Sequence, residues 1–168
     1  IHNMVGFNYR MTEMQSAIGL KELERLDSWN LANRTRNGEL LISLLADCAQ
    51  ILKLPVHNEE RRNAFWLFPL IIDADTLKAD VKQIVTALGE EGIPCGPVQW
   101  PQCYKEAAYQ KKQSFGRLNY PFGDPAARPE AVDYSNVYCP NAAWVEERCF
   151  WVPVHPTYEE SHIRLIAE

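Results

Sequence analysis

The sequence predicts a small α/β sandwich in which helices cover one face of a sheet. After residue 50 the predicted elements follow the order β-β-α-β and then α-β-α, which is typical of such a layered fold. The 168 residues are 46% hydrophobic and 23% charged, the balance of one ordinary domain that can bury a core. A proline-free stretch at residues 12–48 predicts one long helix, or two joined helices, ahead of the sandwich.

The composition argues against several classes of protein. Seventeen Lys and Arg against 22 Asp and Glu give a net charge of −5, so no general nucleic-acid binder is expected. No apolar run approaches the roughly 18 residues of a membrane span. Five cysteines without a CxxC pair indicate reduced thiols, and four histidines without metal-ligand spacing predict no metal site. We therefore expect a cytoplasmic protein that binds neither nucleic acid nor membranes.

The first helix begins at a capping motif. Thr12 can accept a hydrogen bond from the backbone of Gln15, whose side chain can reach back to Thr12. Along residues 14–26 the apolar side chains spread around most of the helical circumference, at Met14, Ala17, Ile18, Leu20, Leu23 and Leu26. A helix that is apolar on nearly all sides is usually buried on nearly all sides. We expect another domain or subunit to cover it in the intact protein.

Strands and helices of the sandwich follow in order. Apolar, β-rich runs bounded by turn residues predict four strands, at residues 51–56, 64–72, 93–98 and 149–154. Apolar spacing of three and four residues predicts a helix at 75–88, and Pro140 near a first turn predicts one at 140–147. A capping segment at 157–160 predicts a last helix, and residues 102–110 form at most a short one. Between them, residues 99–129 are rich in Pro, Gly and aromatic residues. A loop of this length in a compact domain is usually functional or mobile.

Two segments carry the candidate site residues. In GFNYRMTEMQSAIGL, at residues 6–20, Asn8 and Arg10 precede a capped helix, where an anion such as phosphate is favoured. The alternative is that Asn8 forms a turn and Arg10 a surface ion pair. In WVPVHPTYEE, at residues 151–160, His155 lies between a strand end and a helix start, where α/β proteins bind ligands. The alternative is a histidine that satisfies a loop carbonyl.

These segments also carry a resemblance to a known family. Residues 6–30, GFNYRMTEMQSAIGLKELERLDSWN, closely resemble the signature of the DegT/DnrJ/StrS family of pyridoxal-phosphate sugar aminotransferases. WVPVHPTYEE resembles the closing element of that family, and AFWLFPLII, at residues 64–72, resembles its small-domain strand. EEGIPCGPVQWPQCYKEAAY, at residues 90–109, is similar to its tyrosine-bearing loop. The likeness runs over nearly all 168 residues.

The resemblance implies the C-terminal part of a fold-type I aminotransferase. Residues 1–11 would end the large cofactor-binding domain, and residues 12–48 would form the long interdomain helix or helix pair. Residues 49–168 would form the small C-terminal α/β domain, with a small mixed or antiparallel sheet and helices packed on one face. The Schiff-base lysine of the family precedes its GxNxRM motif, so no catalytic residue is assigned within this chain. The chain alone is then expected to be inactive.

The resemblance also implies ligands and site residues. Asn8 would reach the pyridoxal 5′-phosphate of the partner subunit in a homodimer whose active site is shared across the interface. Five residues would bind substrate: Tyr9, Arg10, Trp100, Tyr104 and His155. The reaction would move an amino group from glutamate or glutamine to a keto-sugar or a ketocyclitol. Two alternatives stay open, a dehydratase of the same family and a non-catalytic dimerisation or regulatory module.

Overall fold

A computed structural model describes residues 4, 6, 9–124, 126, 128 and 133–168. The described residues form two compact units. One unit joins the described part of residues 1–10 to Gln99–Glu146, and the other joins Met11–Val98 to Glu147–Glu168. The sheet lies in the second unit, and the proline- and aromatic-rich loop makes up most of the first.

The predicted long helix is confirmed as a nearly continuous helical run. Helix α1 (Glu13–Glu24) leads into a π-helical segment (Leu26–Leu31), helix α2 (Ala32–Leu44) and a 3₁₀ turn (Ala46–Cys48). The capping box is confirmed, because the Gln15 N–H donates to Thr12 Oγ1 at 3.3 Å and the Thr12 N–H donates to Gln15 Oε1 at 2.9 Å. In the π-helical segment the Asn30 N–H donates to the Arg25 carbonyl at 3.2 Å, five residues back along the chain.

The sheet has four strands among the described residues: β1 (Leu52–Lys53), β2 (Phe68–Ile72), β3 (Gly96–Pro97) and β4 (Cys149–Val152). Their order is β1-β2-β4-β3, and every pairing is antiparallel. Each strand lies where the sequence predicts one, but each is shorter. Strand β2 begins at Phe68 and not at residue 64, because Phe65 has a φ of +47°. In addition, Arg34 Nη1 donates hydrogen bonds to the carbonyls of Phe65 and Trp66 at 3.0 and 3.2 Å. These two residues are therefore held outside the ladder.

The remaining helices of the described chain are α3 (Ala74–Leu77), α4 (Val81–Glu90), α5 (Ala107–Gln110), α6 (Pro140–Arg148) and α7 (Glu160–Ala167). The single helix predicted at 75–88 is in fact two. Lys78 adopts a left-handed φ of +52° that ends α3, and Asp80 then caps α4 in a capping box with Gln83. A second N-terminal cap inside the predicted helix thus divides it.

The core lies between the sheet and one layer of helices. Phe68 and Leu70 of β2 pair with Val152 and Phe150 of β4, so alternate residues of both strands share one buried face. They form one cluster with apolar side chains from α2, α4 and α7, among them Leu41, Val81 and Ile163. On the opposite face Pro69 is exposed. The prediction that helices cover one face of the sheet is confirmed.

Helix α1 contributes nothing to this core. None of its residues is buried, and its apolar side chains are 58–75% exposed at Met14, Ile18, Leu20 and Leu23. The prediction that another domain or subunit covers them concerns the intact protein and stays a prediction. Apolar though α1 is, no helix in the described part of the chain combines the length and the hydropathy needed to cross a membrane.

Candidate functional site

The first unit contains a cleft of about 430 Å³. Residues 99–109 supply most of its wall, and Met4 and Gly6 supply the rest. The aromatic and polar side chains that line it are Gln99, Trp100, Cys103, Glu106 and Tyr109. This volume lies in the range of roughly 300–1,000 Å³ that is usual for small-molecule sites, so the cleft is the candidate functional site.

Trp100 stands at this cleft with a strained backbone. Its φ is +53°, in the left-handed region that bulky residues rarely adopt, and 44% of its surface is exposed. Such a conformation costs about 1–3 kcal/mol and is often found at ligand sites. The loop that the resemblance assigns to substrate does line a cavity, while contact between Trp100 and a substrate stays a prediction.

Tyr104 does not line the cleft, and its hydroxyl instead links segments of the first unit by hydrogen bonds. Only 7% of it is exposed, and its hydroxyl donates to Gln102 Oε1 at 2.6 Å. The same hydroxyl accepts from the Cys139 N–H at 3.3 Å, and Gln102 Nε2 donates to Glu146. The ring and the hydroxyl of Tyr104 therefore fix the cleft segment to residues 139–146. A contact between Tyr104 and substrate stays a prediction.

Three predicted site residues lie near the start of the chain. Asn8, the predicted phosphate ligand, lies outside the described residues. Tyr9 and Arg10 are described and exposed, Tyr9 to 87%, and neither lines the cleft. An exposed guanidinium suits pairing with an anion brought by a ligand or partner. The roles of all three residues stay predictions.

His155 belongs to the second unit and is exposed in the turn between β4 and α7. Its Nδ1 lies 2.7 Å from Thr157 Oγ1 and accepts from the Thr157 N–H at 3.4 Å. Because Nδ1 acts as the acceptor, the neutral ring carries its proton on Nε2. Its own carbonyl accepts from Asn37 Nδ2 at 2.9 Å. The turn is thus fixed on both sides, and Nε2 is left to donate outward.

The described residues do not form a complete pyridoxal-phosphate site. That cofactor needs a lysine at the edge of a cavity together with donors for its phosphate. Six of the seven lysines are exposed, Lys112 is half-buried, and none lines the cleft. Among the described residues, no group of three or more His, Cys, Asp or Glu side chains is placed to hold a metal ion.

Sequence reasoning named Trp100 but missed the other aromatic and polar side chains of the cleft. Three of them, Cys103, Glu106 and Tyr109, follow one another along the segment. Cys103 is exposed, while Glu106 and Tyr109 are half-buried. The signal that could have found them is their spacing: Cys103 and Glu106 are separated by one helical turn, and Tyr109 follows one turn later. The 3₁₀ turn at Cys103–Lys105 and helix α5 place all three along one side of the segment.

A larger cavity, of about 640 Å³, lies in the second unit between α2 and the loop at residues 57–64. Its polar groups are used to attach that loop. His57 Nδ1 accepts from the Asn63 N–H at 3.0 Å, and His57 Nε2 lies 3.5 Å from Glu39 Oε1. None of the residues that the sequence assigns to a site lines it. We therefore treat this cavity as part of the scaffold.

Comparison with known proteins places these features in a family. The sequence profile of the DegT/DnrJ/EryC1/StrS aminotransferase family matches residues 1–168. The chain is 36% identical over 98 residues to GDP-perosamine synthase of Caulobacter vibrioides. The matched region covers 58% of this chain and 26% of that protein. It is 31% identical over 92 residues to lipopolysaccharide biosynthesis protein RfbH of Salmonella typhimurium. That matched region covers 55% of this chain and 21% of that protein.

Solved structures show the same fold. The aminotransferase from Psychrobacter cryohalolentis superposes with a TM-score of 0.72 at 22% identity, over 99% of this chain and 40% of its own. The E. coli GDP-4-keto-6-deoxy-D-mannose-3-dehydratase with bound hydrated PLP gives a TM-score of 0.67 at 22% identity, over 97% and 37%. The chain thus spans well under half the length of the proteins it matches. Because the profile matches every residue, the chain belongs to the DegT/DnrJ/EryC1/StrS aminotransferase family.

Proposed function

We propose that this chain supplies the C-terminal part of a pyridoxal-phosphate-dependent aminotransferase that acts on a keto-sugar. The observation that carries the proposal is the family profile match along residues 1–168. Glutamate or glutamine would donate the amino group. Two relatives are GDP-perosamine synthases, so we favour a keto-sugar over a ketocyclitol as the acceptor.

Within that enzyme the residues of this chain bind and orient. The cofactor, when bound, supplies an electron sink for the transfer of the amino group. Asn8 and Arg10 offer an amide and a guanidinium to its phosphate or to a substrate anion. His155 donates from Nε2 to a substrate oxygen, with its ring held by Thr157. Trp100 offers an aromatic face to a sugar ring. The covalent lysine comes from sequence beyond these 168 residues.

We further propose that the intact protein is a cytoplasmic homodimer. The exposed apolar side chains of α1, with Leu20 at 64% and Leu23 at 66%, support a covering partner or domain. Apolar surface left in water costs about 25 cal/mol per Å², so a helix with this exposure gains from being covered. The five cysteines are all free thiols, which suits a reducing compartment.

A single preparation of the full-length protein tests the proposal. It is treated with borohydride and digested, and the lysine that carries the cofactor is found by mass spectrometry. A second portion, neither reduced nor digested, is incubated with glutamate and GDP-4-keto-6-deoxy-D-mannose, and the product is analysed for a new amino group. We expect a cofactor-bearing lysine outside residues 1–168 and an amino-sugar product, while the 168-residue chain alone gives neither.

Three other outcomes would overturn the proposal, and each would favour a different alternative. A deoxygenated product without an amino group would make the protein a dehydratase. Cofactor found on one of the seven lysines of this chain would refute the assignment of the lysine to other sequence. A full-length protein that retains no cofactor at all would favour the non-catalytic dimerisation or regulatory module.

A further inference from the structure

Asn37 is followed by a glycine, and no other asparagine of the 168 residues is. Asn-Gly is the dipeptide in which an asparagine loses its amide fastest, because glycine presents its backbone nitrogen to the side chain with no Cβ in the way. In an unfolded chain, where the backbone dihedrals vary freely, Asn37 is therefore the asparagine that deamidates first. Whether residues 37 and 38 can reach the reactive geometry depends on the fold.

The fold holds both residues of this dipeptide away from the reaction. They lie in the middle of α2, where the Gly38 N–H takes part in the helical hydrogen bonds. The ring that deamidation closes needs a ψ at Asn37 that a helix does not adopt. Asn37 is also fully buried, and its Nδ2 donates to the carbonyls of His155 and Tyr158. The reactive amide is thus both excluded from water and held in place.

The packing of α2 depends on both residues of the dipeptide. A Cβ at position 38 would lie 2.6 Å from Phe65 Cδ2, so the core has no room for a larger residue there. Position 37 needs an uncharged donor for the two carbonyls, and an ionised carboxylate can only accept hydrogen bonds. The arrangement that stabilises the folded chain therefore keeps its most readily deamidated dipeptide.

We propose that Asn37 is a modification site that deamidates only while α2 is unfolded, and that the modified chain does not regain the native fold. The Gly38 nitrogen attacks Asn37 Cγ, the Cγ–Nδ2 bond breaks, and the amide leaves as ammonia with the proton of the Gly38 N–H. Water then opens the cyclic imide at either carbonyl carbon, its hydroxyl going to that carbon and its proton to the ring nitrogen. The products are aspartate and isoaspartate, and no oxidant or reductant takes part.

Neither product suits the place of Asn37. Aspartate leaves the carbonyls of His155 and Tyr158 without their donor and sets a carboxylate beside them. Arg36 Nε, which lies 3.2 Å from Asn37 Oδ1, could pair with that carboxylate but cannot supply the two lost bonds. Isoaspartate carries the backbone through its side-chain carbons, and the additional backbone atom interrupts the hydrogen bonds of α2. Each period of unfolding should therefore convert a fraction of the chains irreversibly.

The rate of deamidation in native and unfolded protein tests the first part of the proposal. The full-length protein is incubated in mildly alkaline buffer with and without guanidinium chloride. Mass spectrometry follows the peptide that contains residue 37 and separates its Asn, Asp and isoAsp forms. We expect the native protein to react at least about a hundredfold more slowly, because deamidation is slow relative to opening and its rate tracks the open fraction. Guanidinium below the unfolding transition should raise the native rate in parallel with that fraction.

Two controls apply to the unfolded protein, where packing against Phe65 plays no part. Gly38→Ala places a Cβ next to the reacting nitrogen and should lower the rate at Asn37 to near that of the other asparagines. Asn136, which is followed by valine, should remain the slower site in the parent protein. Equal rates at Asn37 with and without denaturant would overturn the proposal. A native rate that does not respond to guanidinium would overturn it as well, since the reaction would then proceed within the folded helix.

The second part of the proposal is tested by the modified chains. After long incubation in denaturant the protein is returned to native buffer and treated with protease, and the resistant fraction should be depleted of the Asp and isoAsp forms. Asn37→Asp, expressed directly, should unfold at a lower guanidinium concentration than the parent protein. Modified forms as frequent in the resistant fraction as in the whole sample, or a parent-like midpoint for Asn37→Asp, would show that the product is tolerated. These outcomes concern α2 and its contacts, so they are independent of the proposed aminotransferase activity.

Discussion

Asn37 holds the backbone of His155. Its Nδ2 donates to the His155 carbonyl at 2.9 Å and to the Tyr158 carbonyl at 3.2 Å, and its Oδ1 accepts from Arg36 Nε at 3.2 Å. Asn37 is fully buried on α2, so one interior amide fixes the turn between β4 and α7. A buried amide whose donors and acceptor are all used stabilises one backbone conformation, because any other leaves polar groups unpaired.

Replacing Asn37 should therefore destabilise the chain. Asn37→Leu keeps the approximate volume but leaves the carbonyls of His155 and Tyr158 without this donor. We expect a loss of about 1–3 kcal/mol in the free energy of unfolding, measured by urea titration. Asn136→Leu, at an exposed position, should change it by less than about 0.5 kcal/mol. A variant as stable as the parent chain would show that the amide does not fix the turn.

Gly38 and Gly89 should respond in opposite ways to alanine. A Cβ on Gly38 would lie 2.6 Å from Phe65 Cδ2, inside the core, while a Cβ on Gly89 would have no atom within 4 Å. Overpacking should make Gly38→Ala destabilising by about 1–3 kcal/mol. Gly89→Ala on α4 should stabilise by about 0.5–1 kcal/mol through helix propensity. Equal effects in thermal unfolding of the two variants would contradict the packing of Phe65 on α2.

The five thiols should differ in reactivity. Burial raises the pKa of the Cys149 thiol and also the pKa of the Cys95 thiol. Cys103 and Cys139 are exposed, so at about pH 8 both should react with iodoacetamide before Cys95 and Cys149. In urea all five should react alike, which serves as the control. Early labelling of Cys149 in the folded chain would show that β4 opens readily.

The same two thiols predict how stability depends on pH. A raised pKa in the folded state means that folding disfavours the thiolate form. The two protonated thiols therefore leave the free energy of unfolding unchanged below the ordinary thiol pKa of 9.0. Stability is lost as the pH rises from 9.0 through the higher pKa values of the folded state. We expect the free energy of unfolding to fall as the pH rises from about 9.0 through these higher folded values, and the fall to shrink in Cys149→Ala. An unchanged slope in that variant would assign the loss to other groups.

His155 should act on the keto substrate and leave the cofactor untouched. In the full-length enzyme, His155→Gln should raise KM for the keto substrate by about two- to tenfold, the value of one hydrogen bond, with the same cofactor Kd. Thr157→Val removes the hydroxyl that lies 2.7 Å from His155 Nδ1 and should cause a smaller change in the same direction. If both variants had the same kinetics as the parent enzyme, His155 would have only a structural role in its turn.

Asn8 should act on the cofactor instead. In the full-length enzyme we expect Asn8→Ala to weaken cofactor retention by about 10- to 150-fold, as loss of one charge-assisted bond to phosphate predicts, with less effect on the rate of amino transfer. Equilibrium dialysis of the cofactor measures this, with His155→Gln as the control. A cofactor Kd within about twofold of the parent enzyme would show that Asn8 makes no such bond.

Local patterns in the sequence predicted much of the fold. The capping box at Thr12 and the alternation in β2 and β4 follow from neighbouring residues, which is why they are confirmed. The break after α3 was missed because Lys78 gives no sign that it will adopt a positive φ. In the same way, the segment of the cleft was predicted but Glu106 was not, since which side chains share a cleft depends on how residues 99–109 fold back on themselves.

The π-helical segment between α1 and α2 keeps the two helices in phase across one additional residue. Each residue of an α-helix advances the helical wheel by about 100°, and a π turn absorbs one additional residue without interrupting the run. Arg25, whose guanidinium lies 4.5 Å from the ring centre of Trp29, spans this point. Deleting one residue at positions 26–31 would restore an unbroken α-helix with nearly the same phase, whereas deleting one residue within α1 would turn the preceding part of its apolar surface by about 100° relative to α2. The junction therefore accepts a change of one residue in its length while α1 keeps the same side toward a covering partner or domain.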